Sequence, residues 1–295
     1  MTRLQSGDAA GALTEVTKLV QADPYDPNAL ALRAFINFCR NDVKAARDDA
    51  QHARDLGSDD PLATNLASIV LFEIFVLDGK PDLAMQAIDW AIQADPTSVH
   101  SRILRARALT QLGRPGEART ELIKATELDP TSAMALAQLG MLELSEGWTT
   151  RGRKLITKAY AMSKALGQDE PEIKVALAFA EMSTAALGNV NSQLAAATKL
   201  ANEALANPAC NPESALQALI VLLGSAMINE KWEEAETYMA RARKLAPFTP
   251  ELFVFAADIA LDSKRADLAR KYFAEAERIN PDHPAVKAMR AKIPQ

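Results

Sequence analysis

The sequence predicts an all-α protein, an α-solenoid of about eight stacked helix hairpins. One observation is that a helical pattern ends at a proline at regular intervals: Pro96 and Pro130 are 34 residues apart, and so are Pro247 and Pro281. A fixed period of about 20–50 residues is typical of repeat architectures. A second observation is that apolar residues recur at helical spacing in each unit, whereas no alternating strand pattern is found along the sequence.

A stripe of small residues repeats with the same period. The first series is Ala12, Ala46, Ala84, Ala118, Gly152, Ala197, Ala235 and Ala269, at intervals of 34, 38, 34, 34, 45, 38 and 34 residues. The second series follows seven residues later, at Leu19, Ala53, Ala91, Ala125, Ala159, Ala204, Ala242 and Ala276. Because seven residues make about two helical turns, both series lie on one side of one helix per unit. Small side chains there allow a neighbouring helix to approach closely.

The intervals also predict individual elements. The first unit has its second helix at about Ala9–Ala22, and the 38-residue intervals each add about one turn, which predicts a longer helix at about Pro61–Leu77. The 45-residue interval makes the sixth unit the least regular, so we expect a domain boundary near residues 163–171. This divides the chain into an N-terminal array, residues 1–162, and a C-terminal array, residues 163–295. Residues 284–292 should form a helix that caps the last apolar face.

Two stretches carry a resemblance to a known family. They are "AMALAQLGMLELSEGWTTRGRKLITKAYAM", with Leu136, Leu139, Gly140 and Ala159, and "INEKWEEAETYMARARKLAP", with Trp232, Ala235, Ala242 and Pro247. At these positions the sequence resembles the tetratricopeptide repeat, and the pattern extends from about Gly7 to Pro281. The resemblance implies antiparallel helix pairs stacked into a right-handed superhelix, with a concave groove lined by the first helix of each pair.

Catalysis and cofactor binding find no support in the sequence. It contains no phosphate-binding glycine loop, zinc-protease motif or nucleophile elbow. Cys39 and Cys210 are the only cysteines, and both are interpreted as small buried hydrophobic residues. The three histidines lie far apart, so no metal pair is expected. We therefore predict no enzyme activity, no cofactor and no metal.

Charge and hydropathy limit the partners. The net charge is −5, which disfavours nucleic acid as a partner, and no apolar run is long enough to insert into a membrane. The N-terminus lacks the apolar core of a signal peptide, which favours a cytoplasmic location; the alternative is a periplasmic or membrane-anchored protein from which an upstream segment was removed. Residues 99–168 carry 11 Lys or Arg against 6 Asp or Glu, a local excess of +5. This zone is either ordinary solvated surface or a docking zone for an acidic partner.

The resemblance implies which residues would contact a partner. The predicted groove residues are Phe35, Phe38, Asn65, Ile69, Phe72, Arg107, Met141 and Leu144; further positions are Ala31, Ile103, Gln111, Ala137, Ile220, Gly224, Met227, Val254, Asp258 and Leu261. Chaperone-binding members hold a carboxylate with Lys and Asn at set groove positions. Here those positions carry Ala31 and Phe35, Asn65 and Ile69, or Ile103 and Arg107, so the complete clamp is absent. The groove is unusually apolar. A register error of one residue would instead make Phe35 or Phe72 part of the core.

Two functions follow from this interpretation. The first is a non-catalytic scaffold that binds a partner's amphipathic helix or extended segment, or a second copy of the chain as a homo-oligomer. The second is the repeat arm of a larger enzyme or of an envelope or secretion assembly, whose active or anchoring part lies upstream. The second is favoured by Met1, which falls where the middle of a helix is expected.

Overall fold

The computed structural model describes residues 9–57, 59–185 and 189–293. Sixteen helices and no strand occur in these residues, so the predicted all-α repeat class is confirmed. The helices are α1 (Ala9–Ala22), α2 (Pro27–Cys39), α3 (Val43–Leu56), α4 (Pro61–Leu77), α5 (Pro81–Ala94), α6 (Val99–Gln111), α7 (Pro115–Leu128), α8 (Ala133–Ser145), α9 (Thr149–Ala165), α10 (Pro171–Ser183), α11 (Val190–Ala206), α12 (Pro212–Ile228), α13 (Trp232–Leu245), α14 (Pro250–Asp262), α15 (Ala266–Ile279) and α16 (Pro284–Arg290). The half-helix expected at Met1 lies outside the described residues.

The chain divides into two compact units, Met1–Ala135 and Leu136–Gln295, called unit 1 and unit 2 below. Unit 1 holds α1 to α7, and unit 2 holds α9 to α16; the last residues of unit 1 are the first three of α8. The boundary expected near residues 163–171 corresponds to the loop between α9 and α10, inside unit 2. A division into residues 1–162 and 163–295 therefore stays a prediction.

The stripe of small residues forms the contact between helices. In the second helix of each hairpin, Ala46, Ala84 and Ala118 of unit 1 are at most 1% exposed, and so are Ala235 and Ala269 of unit 2. The second series is buried in the same way, with one exception in α1, discussed next.

The exception is Leu19, which is 56% exposed. Helix α1 instead buries Ala12, Val16 and Val20, which are spaced four residues apart. Four-residue spacing keeps side chains on one side of a helix, so α1 presents Val20 to the core and turns Leu19 outward. Leu19 was therefore wrongly placed in the stripe.

Two helices account for the 38-residue intervals. Helix α4 occupies Pro61–Leu77, as predicted, and α12 has the same length of 17 residues. Asp60 and Asn211 cap their N-termini, each followed by a proline in the first turn, where a missing N–H costs nothing. The additional turn at the C-terminal end of α4 buries Ile74 and Phe75 in the core of unit 1.

The hairpin turns share one backbone conformation. Asn41, Gly79 and Gly113 in unit 1 have φ angles of 63°, 66° and 71°, and they follow the first helix of successive hairpins. Gly147, Glu230 and Lys264 take the same role in unit 2. Glycine adopts positive φ without steric cost, so its recurrence here reflects a requirement of the turn.

Unit 2 contains one contact closer than alanine would permit. A Cβ atom on Gly152 of α9 would lie 2.6 Å from the backbone oxygen of Gly140 in α8. Glycine on both helices therefore lets the two backbones touch. At the other end of the unit, α16 buries Val286 and Met289, so the predicted capping helix is present over Pro284–Arg290.

Candidate functional site

The first helices of the unit 1 hairpins, α2, α4 and α6, carry the candidate site. The ninth residue of each is half-buried: Phe35, Ile69 and Arg107. The Arg107 guanidinium donates a hydrogen bond of 2.6 Å to the carboxylate of Glu73, one helical turn beyond Ile69. This contact joins α4 directly to α6 on the side where these ninth residues lie. We call Phe35, Phe38, Ile69, Glu73 and Arg107 the inner face of unit 1.

The apolar members of the inner face are anchored in the protein and still partly exposed. Phe35, Phe38 and Ile69 are half-buried and pack against one core cluster of unit 1. Packing on one side restricts their rotamers, so less conformational entropy remains to be lost when a partner covers the other side.

The charged members of the inner face compensate each other. The side chains of Arg107 and Glu73 are 29% and 26% exposed, so water partly screens their attraction. The Arg107 guanidinium carbon also lies 5.5 Å from the centre of the Phe72 ring, within the range of a cation–π contact. Arg107 thus connects the exposed ion pair with the core.

Among the predicted groove residues, Phe72 and Leu144 belong to the core, and the further positions Ala31 and Ala137 are buried as well. Phe72 has no exposed surface, and Leu144 is 8% exposed. Phe72 lies on α4, which packs against α2, α3 and α5, and Arg107 covers its ring. The Cγ atom of Leu144 lies 2.8 Å from where a Cβ on Gly152 would stand, at the close contact between α8 and α9. Neither side chain is available to a partner.

Asn65 has a structural role in the hydrogen bonding of unit 1. Its side-chain amide donates to the Ala91 carbonyl at 2.9 Å and to the Ser101 hydroxyl at 3.0 Å. These bonds tie α4 to the end of α5 and the beginning of α6. Of the remaining predicted residues, Met141 is half-buried on α8 in unit 2.

Unit 2 arranges the corresponding side of its first helices differently. A Cβ on Gly224 of α12 would lie 2.7 Å from the sulfur of Met182 on α10 and 3.0 Å from Cζ of Phe255 on α14. Side chains from both neighbours therefore fill the space over Gly224. Met227, another predicted groove position, is fully buried. The protein itself therefore closes α12 around Gly224 and Met227, whereas Ile220, the ninth residue of α12, stays half-buried as Ile69 does in α4.

Glu73 is the functional candidate that sequence reasoning missed. A usable signal was present, because Glu73 and Arg107 have opposite charges and stand 34 residues apart, one repeat. Residues separated by one repeat occupy neighbouring helices of a stacked array.

The cysteines correct another prediction. Cys39 is exposed and Cys210 half-buried, so neither is a buried core residue. Cys39 ends α2 and Cys210 lies in the loop before α12, where fewer side chains surround them. Cys39 is four residues after Phe35, one turn along α2. Partial burial raises the pKa of the Cys39 thiol.

Most basic residues between positions 99 and 168 already have acidic partners. In unit 1, Arg102, Arg105 and Lys124 pair with Glu121, Arg107 with Glu73, and Arg114 with Glu117. In unit 2, Arg151 pairs with Glu143 and Arg153 with Glu181. Pairing with the protein's own carboxylates lowers the charge left to attract an acidic partner, which favours the interpretation as solvated surface.

The described part of the chain has no cluster of three or more side chains that could hold a metal ion. Within the same residues, every helix is too short or too polar to cross a membrane.

Comparison with known proteins agrees with the repeat architecture described above. Two tetratricopeptide repeat family models match the chain, over residues 75–139 and 225–284. No curated protein matches its sequence. Among solved structures, the APC/C hetero-tetramer Cut9-Hcn1 is similar with a TM-score of 0.67 at 16% identity, over 97% of this chain and 53% of that chain. This chain therefore spans about half the length of the chain it matches there.

Two other solved structures are similar. A tetratricopeptide repeat protein from Parabacteroides merdae has a TM-score of 0.55 at 15% identity, over 90% of this chain and 97% of that one. Yeast Tom70 has a TM-score of 0.55 at 17% identity, over 97% and 59% of the two chains. Identities this low show the fold alone. The two family matches, at residues 75–139 and 225–284, show that the chain contains tetratricopeptide repeats; tetratricopeptide repeat proteins are typically non-catalytic scaffolds for other proteins.

Proposed function

We propose that the chain is a non-catalytic scaffold that binds a segment of a partner protein on the inner face of unit 1. One observation carries the proposal: Phe35, Phe38 and Ile69 are half-buried on adjacent first helices, beside the Glu73–Arg107 ion pair. Large apolar side chains fixed next to hydrogen-bonding groups are typical of protein-binding surfaces.

The energetics favour a moderate affinity. Full burial of a large apolar side chain is worth about 1.5–3 kcal/mol, so covering the part of each of the three side chains that is still exposed contributes at most about 1 kcal/mol apiece. Association itself costs several kcal/mol. A micromolar complex, about −8 kcal/mol, therefore needs apolar anchors from the partner as well. This requirement fits an amphipathic helix with anchors at positions i, i+3, i+4 and i+7, or an extended segment with alternate anchors.

Site-specific photocrosslinking tests the proposal. Benzoylphenylalanine is placed at position 38 or 69 of the inner face, and at position 83 as the control. Leu83 is 40% exposed on α5, a second helix, and is not part of the inner face. We expect one partner protein to be crosslinked from positions 38 and 69 and not from position 83.

The crosslinked partner is then purified and titrated against the wild-type chain and against Phe35→Ser. The two native cysteines supply an independent readout, because Cys39 lies one turn from Phe35 and Cys210 lies in unit 2. We expect Phe35→Ser to weaken binding about tenfold or more, and the partner to slow alkylation of Cys39 but not of Cys210. Equal affinity for Phe35→Ser, or equal protection of both thiols, would contradict the proposal.

A second copy of the chain is the other occupant to distinguish. Light scattering after size exclusion measures the mass of the wild-type chain and of Phe35→Ser. A dimer that becomes a monomer on substitution would assign the inner face to self-association.

A further inference from the structure

A second surface of unit 1 lies at the junctions between successive hairpins, apart from the inner face. An open cavity of about 610 Å³ lies between the ends of α3 and α5 and the start of α4. Its wall includes Arg54 of α3, Asp59 and Pro61 at the start of α4, and Trp90 and Ala94 of α5. We call these five residues the junction cleft. The volume lies within the range of about 300–1,000 Å³ that ligand-binding clefts occupy.

One wall of the cleft is apolar and fixed in position. Trp90 is half-buried and packs against the core of unit 1. The guanidinium carbon of Arg54 lies 4.2 Å from the centre of the Trp90 ring, and Arg54 also bonds to Asp55 at 3.0 Å. Asp55 thus balances the charge of Arg54, which holds the indole in place.

The surroundings of the cleft are negative. The three loops that join hairpins in unit 1, residues 23–26, 57–60 and 95–98, contain no Lys or Arg and five aspartates: Asp23, Asp26, Asp59, Asp60 and Asp95. Helices α3 and α5 end at the cleft, whereas α4 begins there and Arg54 lines its wall. Two C-terminal ends, which carry partial negative charge, against one positive N-terminal end leave a net partial negative charge from the helix dipoles. Both contributions favour a positively charged group.

Asp60 keeps its negative charge across the neutral range. Its carboxylate accepts hydrogen bonds from the N–H groups of Ala63 and Leu62 and from the Asn28 amide. These bonds hold the pKa of Asp60 below its usual range. Asp59, beside it, is exposed and forms no ion pair with any described residue.

We propose that the junction cleft docks a basic segment of a partner protein. A leucine-sized side chain of that segment enters the cleft against Trp90, Pro61 and Ala94. A neighbouring lysine or arginine of the segment pairs with Asp59, beside the charge of Asp60. The proposal is independent of the inner face, because it uses the ends of α3 and α5 and the start of α4.

The test uses the full chain and defined peptides. The probe is a ten-residue peptide with three Lys-Leu pairs separated by Gly-Gly; two control peptides carry Lys-Ser or Glu-Leu pairs instead. The chain has three tryptophans, so ¹⁵N-labelled protein gives three indole N–H signals, and Trp90→Phe assigns one of them. We expect the Lys-Leu peptide to shift the Trp90 signal and to bind at least about fivefold more tightly than either control peptide.

Variants locate the binding site within unit 1. Ala94→Phe fills the cleft and should abolish the shift of the Trp90 signal while circular dichroism stays unchanged. Asp59→Asn removes the exposed ion pair proposed between Asp59 and a lysine of the peptide, and it should weaken binding about two- to fivefold. Asp48→Asn is the matched control, because Asp48 is exposed on α3 outside the cleft and the same charge is lost.

Three outcomes would overturn the proposal. A Trp90 signal that does not move would show that the cleft is not the binding site. An equal effect of Asp48→Asn and Asp59→Asn would reduce the interaction to general attraction by a protein of net charge −5. Equal binding of the Lys-Ser peptide would exclude an apolar anchor.

Discussion

Units 1 and 2 are built from the same helix hairpin, yet the outer residues of their first helices differ. In unit 1, Glu73 and Arg107 bridge α4 and α6, and Phe35 and Ile69 stay half-exposed beside them. In unit 2, Gly224 leaves space that Met182 and Phe255 fill. The repeat therefore prescribes how second helices pack and leaves the outer residues of the first helices free to differ.

This difference has a simple physical origin. The stripe of alanines must be small in every hairpin, because a neighbouring helix lies against it. A first-helix residue that faces away from the core meets no such restriction. It can lie under side chains of the neighbouring helices, as Gly224 does in unit 2, or be partly exposed and available for binding, as we propose for unit 1.

The largest expected effect distinguishes core from surface within unit 1. Phe72→Ala should lower the free energy of unfolding by about 3–5 kcal/mol, because Phe72 is fully buried. Phe35→Ala should cost about half as much, because part of its ring is already in water. Urea denaturation followed by circular dichroism measures both. Equal costs would mean that Phe35 is a core residue as well.

The second prediction concerns the close helix contact of unit 2. Gly152→Ala should cost about 3 kcal/mol, the upper end of the range for overpacking, because the added Cβ meets backbone rather than a movable side chain. Gly116→Ala in unit 1 is the matched control. Its Cβ would meet no atom within 4 Å, so alanine should stabilise by about 0.4–1 kcal/mol. Thermal unfolding that shifts in the same direction for both variants would contradict the packing described for α8 and α9.

The repeat period was predictable from the sequence because the same helix–helix contact, with its small residues, recurs in every hairpin. The bounds of α1 and α4 follow directly from the intervals between small residues, and the capping helix was placed within two residues of its end. These features depend on nearest neighbours that resemble one another in every repeat.

Exposure on the first helices was harder to predict. Phe38 and Phe72 are both the twelfth residue of their helices, yet one is half-buried and the other fully buried. The ninth residue of the following first helix accounts for the difference. For Phe72 that residue is Arg107, which lies over the ring and is long enough to cover it. For Phe38 it is Ile69, which has a shorter side chain. Such coverage depends on one side chain from another repeat, which periodicity does not reveal.

A third prediction compares the units at high pH. Burial, with the nearby charge and hydrogen bond of Glu236, raises the pKa of Tyr272 in unit 2 to about 12. The unfolded chain releases this proton near pH 10, so its contribution to stability should fall as the pH rises from about 10 to 12. The loss is at most about 3 kcal/mol. Tyr272→Phe should remove this part of the alkaline destabilisation, as measured by urea midpoints at pH 9 and pH 11.

The control for this measurement is Tyr25→Phe in unit 1. Tyr25 is 70% exposed, so this variant reports the effect of removing a phenol hydroxyl at the surface. An identical response of both variants would show that Tyr272 is not the group responsible.

The smallest expected effect concerns the ion pairs that join repeats. Glu73–Arg107 in unit 1 and Asp258–Lys292 in unit 2 both connect residues 34 positions apart. The unit 1 pair is the less exposed, at 26% and 29%, whereas the unit 2 side chains keep 45% and 59% of their exposure. Because water screens exposed charges, a double-mutant cycle with glutamine should give about 1 kcal/mol of coupling for Glu73–Arg107, the upper end for partly exposed pairs. The cycle on Asp258–Lys292 should give a smaller coupling, and 1 M salt should reduce both values. A coupling near zero for Glu73–Arg107 would show that this pair contributes little to joining α4 and α6. The apolar residues beside it would then hold the inner face together by packing alone.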